Sequence, residues 1–308
     1  MAKIQIFFFK SQDCLFANSI NLSTFAQRKI YTMKYKLILL CVVFFSCSML
    51  MAERDTITVI SFNIRMNTKA DGKNCWDKRK SATLQMVKQE QPAVLCLQET
   101  LPEQKKFLEK KLKDYRAIGV GREDGKSMGE HMAIFYLADE FELLEHGDFW
   151  LSETPDKVSK GWDAACFRIV TWGLFRNKKT GVKFYCFNTH LDHVGEVARR
   201  ESILLIQKKM SEIVRDKKLP VVLTGDFNSS TDNAIFVPLK QSMIEARKAA
   251  SVTDNKGTFN GYGSAPNNIV IDHILVRNCK ALIFKTLDGN YGKPFISDHY
   301  PVSAVLKL

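Results

Sequence analysis

The chain has 308 residues, enough for one large or two small domains. Its 45 Lys or Arg against 33 Asp or Glu give a formal net charge of +12, which fits an anionic substrate without choosing among nucleic acid, a phospholipid surface and a small phosphoester. Only Cys75, Cys96, Cys166, Cys186 and Cys279 follow Ala52; so odd and sparse a set, without Cys-x-x-Cys or zinc-like spacing, excludes a disulfide scaffold and argues against thiol chemistry.

The first fifty residues differ from the rest. From Met33 the chain reads MKYKLILLCVVFFSCSMLMAERD: lysines, an apolar run from Leu37 to Cys47, small residues and a polar start. That is the layout of an export signal, and the run is shorter than the roughly 20 residues of a membrane span. The expectation is a signal peptide over 33–52, a catalytic domain over 53–308, and a periplasmic or secreted product. Residues 1–32 then read as an extension from a start codon set too far upstream. A buried or uncleaved anchor helix is the alternative. Cys47 is a candidate for lipid attachment, although the bulky Phe44 and Phe45 before it speak against that. Without residues 1–52 the balance is 39 basic against 32 acidic, about +7.

Beyond residue 53 there is no repeat or Pro/Gly-rich linker, so one domain is expected. TITVISFNI alternates and reads as a strand over Thr56–Ile64, and Trp76–Lys88 has helical composition. AVLCLQE is a continuous apolar run, as in a strand buried on both faces. Thr100–Glu103 has the form of a capping box, which starts a helix directly after Glu99. HMAIFYL, FELLEHGDFWL, CFRIVTWGLF and VKFYCFNTHL are four further strands, expected as antiparallel neighbours. The longest helix spans Val194–Arg215, VVLTG is a buried strand, and Ser230–Asp232 caps a short helix to Leu239. NIVIDHILVR, KALIFKTL and YPVSAVLKL close the chain as strands, and the whole pattern predicts a mixed α/β sandwich.

Apolar strands should end in turn residues, yet these end in Asn63, Glu99, His190, Asp226 with Asn228, Asp272, and Asp298 with His299. Each alone has an ordinary explanation in a turn or a cap. Together they are harder to dismiss, because strand ends on one sheet edge converge. Asn, Glu and Asp oxygens suit a hard ion such as Mg²⁺, and the absence of clustered Cys and His disfavours zinc. A histidine beside such a site handles a proton or an anionic oxygen, and an Asp on its other nitrogen fixes the tautomer. Those parts point to metal-assisted attack of water on a phosphoester. His273, on the face opposite Asp272, reads as a packed residue.

The ordered motifs SFNIR, CLQET, NTHL, LTGDFN, VIDHIL and SDHYPV resemble the endonuclease/exonuclease/phosphatase superfamily, which has the deoxyribonuclease I-like fold. The resemblance implies a four-layer α/β sandwich, with two mixed, mostly antiparallel sheets face to face and helices outside. It also implies Mg²⁺ or Mn²⁺ as cofactor, with Glu99 the principal metal ligand and Asn63 and Asp298 completing the metal environment. Asp226 and Asn228 would orient and deprotonate water, His190 would contact the phosphate, and His299, held by Asp272, would stabilise the charged phosphorane. Trp76, Arg79, Arg168, Asp192, His193 and Arg200 are the candidates for substrate recognition. The expected activity is that of a monomeric phosphodiesterase more than a monoesterase, acting on nucleic acid, a nucleotide diester or a phospholipid headgroup. A phospholipase C or sphingomyelinase type, weakened by NTHLDH, and a non-catalytic anion-binding module remain the alternatives.

Overall fold

The computed structural model describes residues 56–308, so the expected leader and upstream extension lie outside the described residues. Twelve strands form two six-stranded sheets. The first runs β11 (Lys280–Thr286), β12 (Val302–Lys307), β1 (Thr56–Asn63), β2 (Val94–Gln98), β4 (Ile134–Leu137), β3 (Tyr115–Ile118). The second runs β5 (Phe141–Trp150), β6 (Ile169–Asn177), β7 (Lys183–His190), β8 (Val221–Asp226), β10 (Asp272–Arg277), β9 (Ile244–Glu245). Each sheet is antiparallel except for one central parallel pair, β1 with β2 and β7 with β8.

Alternation along each strand decides what lies between the sheets. The inner face carries Ile57 and Val59 of β1, Val94 and Cys96 of β2, Phe184 and Cys186 of β7, Val222 of β8, and Ile274 and Val276 of β10, which form one buried cluster. The outer face of the first sheet (Ile60, Phe62, Leu95, Leu97) is covered by α1 (Trp76–Glu90) and α2 (Pro102–Lys111). The outer face of the second (Tyr185, Phe187, Leu223) is covered by Ile203, Ile206 and Met210 of α3 (Glu196–Ile213). The layers are helix, sheet, sheet, helix, as the resemblance implied. Continuing inward-facing positions toward one end of the strands turns the row polar, through Ser61, Gln98, Asn188 and Thr224. Gln98 Nε2 donates to Asn188 Oδ1 at 2.7 Å and to Ser61 Oγ at 3.1 Å, and Asn188 Nδ2 donates to the Leu97 carbonyl at 2.9 Å. This buried amide network rigidly joins the two sheets, because every displaced partner would leave a desolvated polar group.

Several elements depart from expectation. The strand over HMAIFYL pairs with β2 and β3 in the first sheet, while only β5, β6 and β7 form the antiparallel ribbon. The α2 cap is Leu101 rather than Thr100: Gln104 Oε1 accepts from the Leu101 amide at 3.1 Å, and the Thr100 hydroxyl is buried without a partner. Asn233, not Ser230–Asp232, caps the turn before Val237–Lys240, accepting from the Ile235 amide. β3 and the two-residue β9 had no recognisable pattern, since Tyr115–Ile118 buries only its ends and β9 takes its pairing from β10.

Candidate active site

Register alone gathers the first half of the site. β7 beside β8 sets His190 opposite Asp226, and β8 beside β10 sets Asp226 opposite Asp272. His190 and Asp226 take the last inward-facing positions of β7 and β8, and Asp272 the first of the antiparallel β10. In the other sheet Asn63 stands beside Gln98, so Asn63 and Glu99 meet; the antiparallel start of β12, with Ser61 opposite Val302, brings Asp298 and His299 to the same end. The sequence places these residues four apart or fewer from a strand end, and the two sheets close them over the amide network.

Three residues of this rim have left-handed backbone: Arg65 (φ 58°), Glu99 (φ 57°) and Asn228 (φ 47°). Asn tolerates that region, whereas for Arg and Glu it costs on the order of 1 kcal/mol each. The conformation turns each side chain out of strand alternation. Glu99, which alternation would send to the outer face, instead reaches Asn63 Nδ2 at 3.0 Å and the Met66 amide at 3.0 Å.

His299 Nδ1 donates to Asp272 Oδ2 at 2.9 Å, its Nε2 lies 3.7 Å from Asp226 Oδ2, and the Phe259 ring packs edge-on at 5.0 Å. Burial works against its imidazolium, but Asp272, Asp226 and then Asp298 outweigh it and push His299 up to about 10. Asp226 is pushed up to about 6 by burial and by the charge of Asp272. Asn63 Nδ2 and the Asn228 amide hold its two oxygens, each at 2.9 Å. His190 is the opposite case: burial, then Arg168 and Arg122, drive its imidazolium well below the usual range. The neutral ring accepts at Nε2 from Asn228 Nδ2 at 3.0 Å, which leaves the proton on Nδ1, buried and without a protein partner. The donor atoms of Asp226, Asp272 and His299 lie within 4.8 Å of one another.

Glu99 and Asp298 form the second half. Both turn an oxygen toward the Arg65 guanidinium, at 3.8 and 3.7 Å, and Arg65 is itself anchored on Asp71 by two hydrogen bonds of 3.1 Å. Burial, with Glu99 nearby, raises the Asp298 carboxyl. Two carboxylates converging on one cation are the donor set a hard divalent ion takes, and the residues fit it. Asn63 differs from expectation: its amide nitrogen, not its oxygen, faces Glu99 and Asp226, while the oxygen accepts from the Arg65 amide at 3.0 Å. It spaces two carboxylates as a donor.

The two halves open on a cleft of about 510 Å³ that is also lined by Arg122, Glu130, Cys166, Arg168 and His193. A slightly larger hollow of about 590 Å³, at the C-terminal ends of α1 and α2, contains none of these groups. Of the recognition candidates, Arg168 and His193 reach the cleft. Asp192 lies beneath them and is saturated, accepting from the amides of Ala165, Cys166, Val194 and Gly195 and from Arg168 Nε. Burial opposes its charge, yet those N–H groups hold it well below the usual carboxylate range. Its donor atoms group with Cys166 and His193, but a carboxylate so committed positions the loop instead of binding.

Trp76, Arg79 and Arg200 are not brought to the cleft. Trp76 is buried edge-on against Phe107, and Arg79, 1% exposed, donates to the carbonyls of Ile64, Asn74, Arg65 and Ile296, tying the β1–α1 connection down. Arg200 is exposed and pairs with Glu201. His273 is buried on the other side, between Glu245 Oε1 at 3.0 Å and the Ser229 carbonyl at 2.9 Å. Sequence reasoning missed Arg65, Arg122 and Glu130. Arg65 had a signal, a cation two residues past Asn63 within SFNIR; the other two sit on the loop after β3, a strand whose pattern was silent.

The profile of the Endonuclease/Exonuclease/phosphatase family matches residues 60–299. The chain belongs to that family. Among solved members, the endonuclease/exonuclease/phosphatase from Bacteroides vulgatus is 38% identical with a TM-score of 0.78, over 82% of this chain and 99% of its own. A mannosyl-6-phosphatase of Bacteroides thetaiotaomicron is likewise 38% identical, with a TM-score of 0.78, over 82% of this chain and all of its own. An uncharacterised protein of Acanthamoeba polyphaga mimivirus is 25% identical over 253 residues, 75% of this chain and 92% of its own. The family's members are phosphoester hydrolases, and the matched span takes in every strand end that meets at the cleft.

Proposed function

We propose that this family member is an exported, divalent-metal-dependent hydrolase of small phosphate monoesters, with a sugar phosphate as its substrate class. The observation that carries the chemistry is the division of the rim: a buried Asp226–His299–Asp272 chain on one side and the Glu99–Asp298 pair on the other. Asp226, raised toward neutrality and held by two amides, takes a proton from water. His299, kept as imidazolium by Asp272, donates to a phosphoryl oxygen as negative charge develops there. His190 lines the cleft beside them, its ring fixed at Nε2 by Asn228. Bound at Glu99 and Asp298, a divalent cation supplies Lewis acidity toward the phosphoester oxygens.

Two findings favour a small monoester over the diester expected from sequence. A cleft of about 510 Å³ falls in the range of small-molecule sites, and the mannosyl-6-phosphatase is 38% identical across essentially its whole length. The export signal expected over 33–52 would put the enzyme where scavenged phosphoesters arrive. The test is turnover of hexose 6-phosphate, phenyl phosphate, bis(p-nitrophenyl) phosphate, an oligonucleotide and sphingomyelin with Mg²⁺ and with EDTA. Mg²⁺-dependent release of phosphate from the monoesters is expected. Faster cleavage of any diester overturns the monoester reading, and turnover of none overturns the hydrolase.

A further inference from the structure

The cleft wall holds a pair that this chemistry leaves unused. Arg122 and Glu130 stand at the two ends of the loop between β3 and β4, and Arg122 Nη1 donates to Glu130 Oε2 at 2.6 Å. Their side chains are only 9% and 8% exposed, yet both line the cleft. The backbone holds them in place. The Arg122 amide donates to the Glu130 carbonyl at 3.0 Å, Trp150 Nε1 donates to the Arg122 carbonyl at 2.8 Å, and the His131 amide donates to Thr100, next to Glu99, at 2.8 Å. Arg122 Nε is buried with no partner at all. An idle buried donor costs on the order of 1–3 kcal/mol; Nε is sealed from the cleft, so an arriving acceptor meets the outer N–H groups of the guanidinium.

Charge says what that acceptor is. Each cation of the wall already has a carboxyl partner: Arg122 has Glu130, which burial pushes up to about 7 against the pull of Arg122, and Arg168 has Asp192 at 3.1 Å. A groove for a polyanionic backbone keeps its cations available, because affinity there comes from neutralising phosphates. A neutral donor–acceptor pair suits neutral groups that both donate and accept, and vicinal hydroxyls are such groups: one accepts from a guanidinium N–H while its neighbour donates to the carboxylate. His193 adds a further donor, since its Nδ1 accepts from Arg168 Nη2 at 3.0 Å and its proton therefore sits on Nε2. The field of Arg122 and Arg168 reaches His190, which places this wall beside the phosphate-facing histidine.

We infer that Arg122 and Glu130, flanked by Arg168 and His193, form a hydroxyl-recognition subsite that grips the sugar ring of the phosphomonoester substrate. The inference rests on the monoester reading above and adds the residues that select the alcohol. Steady-state kinetics of the full-length protein with Mg²⁺, on hexose 6-phosphate and on phenyl phosphate, test it. The wild type is expected to prefer the hexose ester. Glu130→Gln and Arg122→Lys are each expected to lower the ratio of the two kcat/KM values about 10-fold or more, mostly through KM for the hexose ester, as loss of a charge-assisted hydrogen bond requires. Thermal melts identify a variant that fails to fold, in which case the other variant decides. A ratio within twofold of wild type in the folded variants overturns the subsite. A wild type that hydrolyses phenyl phosphate with no hexose preference overturns it too and leaves the monoesterase standing. A wild type that turns over only diesters removes the monoester reading instead.

Discussion

The floor of the cleft and its wall are built by different means. Every floor residue sits within a few positions of a strand end, and strand register sets its place: His190 opposite Asp226, Asp226 opposite Asp272, Asn63 beside the residue before Glu99. The wall comes from loops, held by ion pairs and backbone bonds such as Arg122–Glu130 and the five N–H groups on Asp192. A floor built on register admits little variation, because a one-residue slip inverts every side chain. A loop wall can change its residues and leave the reacting groups untouched. On the proposed function, reaction type is written into the floor and substrate choice into the wall.

The sharpest way to break that contrast is to change the floor and look for effects on binding. Asp226→Asn and His299→Ala are each expected to lower kcat on phenyl phosphate by about 10²–10³-fold, with KM moving far less. Steady-state kinetics on folded variants check this, and a defect confined to KM would show that the floor acts in recognition. Next in size is the metal half. Mg²⁺ is expected to raise the melting temperature of the wild type, because an ion that binds only the folded state stabilises it. Glu99→Gln should abolish that rise. A melting temperature still responsive to Mg²⁺ in Glu99→Gln would move the ion away from the Glu99–Asp298 pair.

The same contrast explains what was legible in the sequence. The layered fold and the floor were readable because alternation and buried runs declare strands, and Asn63, Glu99, His190, Asp226, Asp272 and His299 interrupted them where turn residues belong. Asp272 partners His299 across 27 residues, as the resemblance implied. The wall was not readable. Trp76 and Arg79 read as candidates for substrate recognition but serve the α1 interface and backbone carbonyls, and nothing local distinguishes such an arginine from one that meets a ligand. Arg122 and Glu130 acquire meaning only when the loop folds and sets them 2.6 Å apart. The Asn63 side chain was placed correctly in space and differently in role, since only its hydrogen bonds reveal which end of the amide faces the carboxylates.

Smaller again is the effect expected at Arg168, the second cation of the wall. Arg168→Ala removes one donor from buried Asp192 and the anchor of His193, but four amides still hold the carboxylate. The expected cost is about 1–2 kcal/mol of stability and a severalfold rise in KM for a monoester. Denaturant melts and kinetics measure the two together. A fall in kcat without a change in KM would place Arg168 with the floor.

The smallest effect is expected behind the floor, where His273 carries the loop of Asp226 and Asn228 through the Ser229 carbonyl. Its two ring nitrogens meet Glu245 Oε1 at 3.0 Å and the Ser229 carbonyl at 2.9 Å, so the ring bridges that carboxylate to the loop. Burial pushes the Glu245 carboxyl up, but the His273 hydrogen bond and charge, with Thr231, outweigh it and hold it at about 2 against an ordinary 4.5. A carboxyl depressed in the folded state stabilises the fold above its unfolded pKa and loses that contribution as pH falls through the folded value. The window is therefore pH 4.5 down to about 2, and the contribution, discounted for partial solvent screening, is about 1–2 kcal/mol. Glu245→Gln should be less stable than wild type at pH 7, with the difference shrinking across that window as measured by urea melts. A constant difference from pH 7 to pH 2 would mean that Glu245 holds His273 by shape alone, and that the loop bearing Asp226 and Asn228 owes nothing to charge.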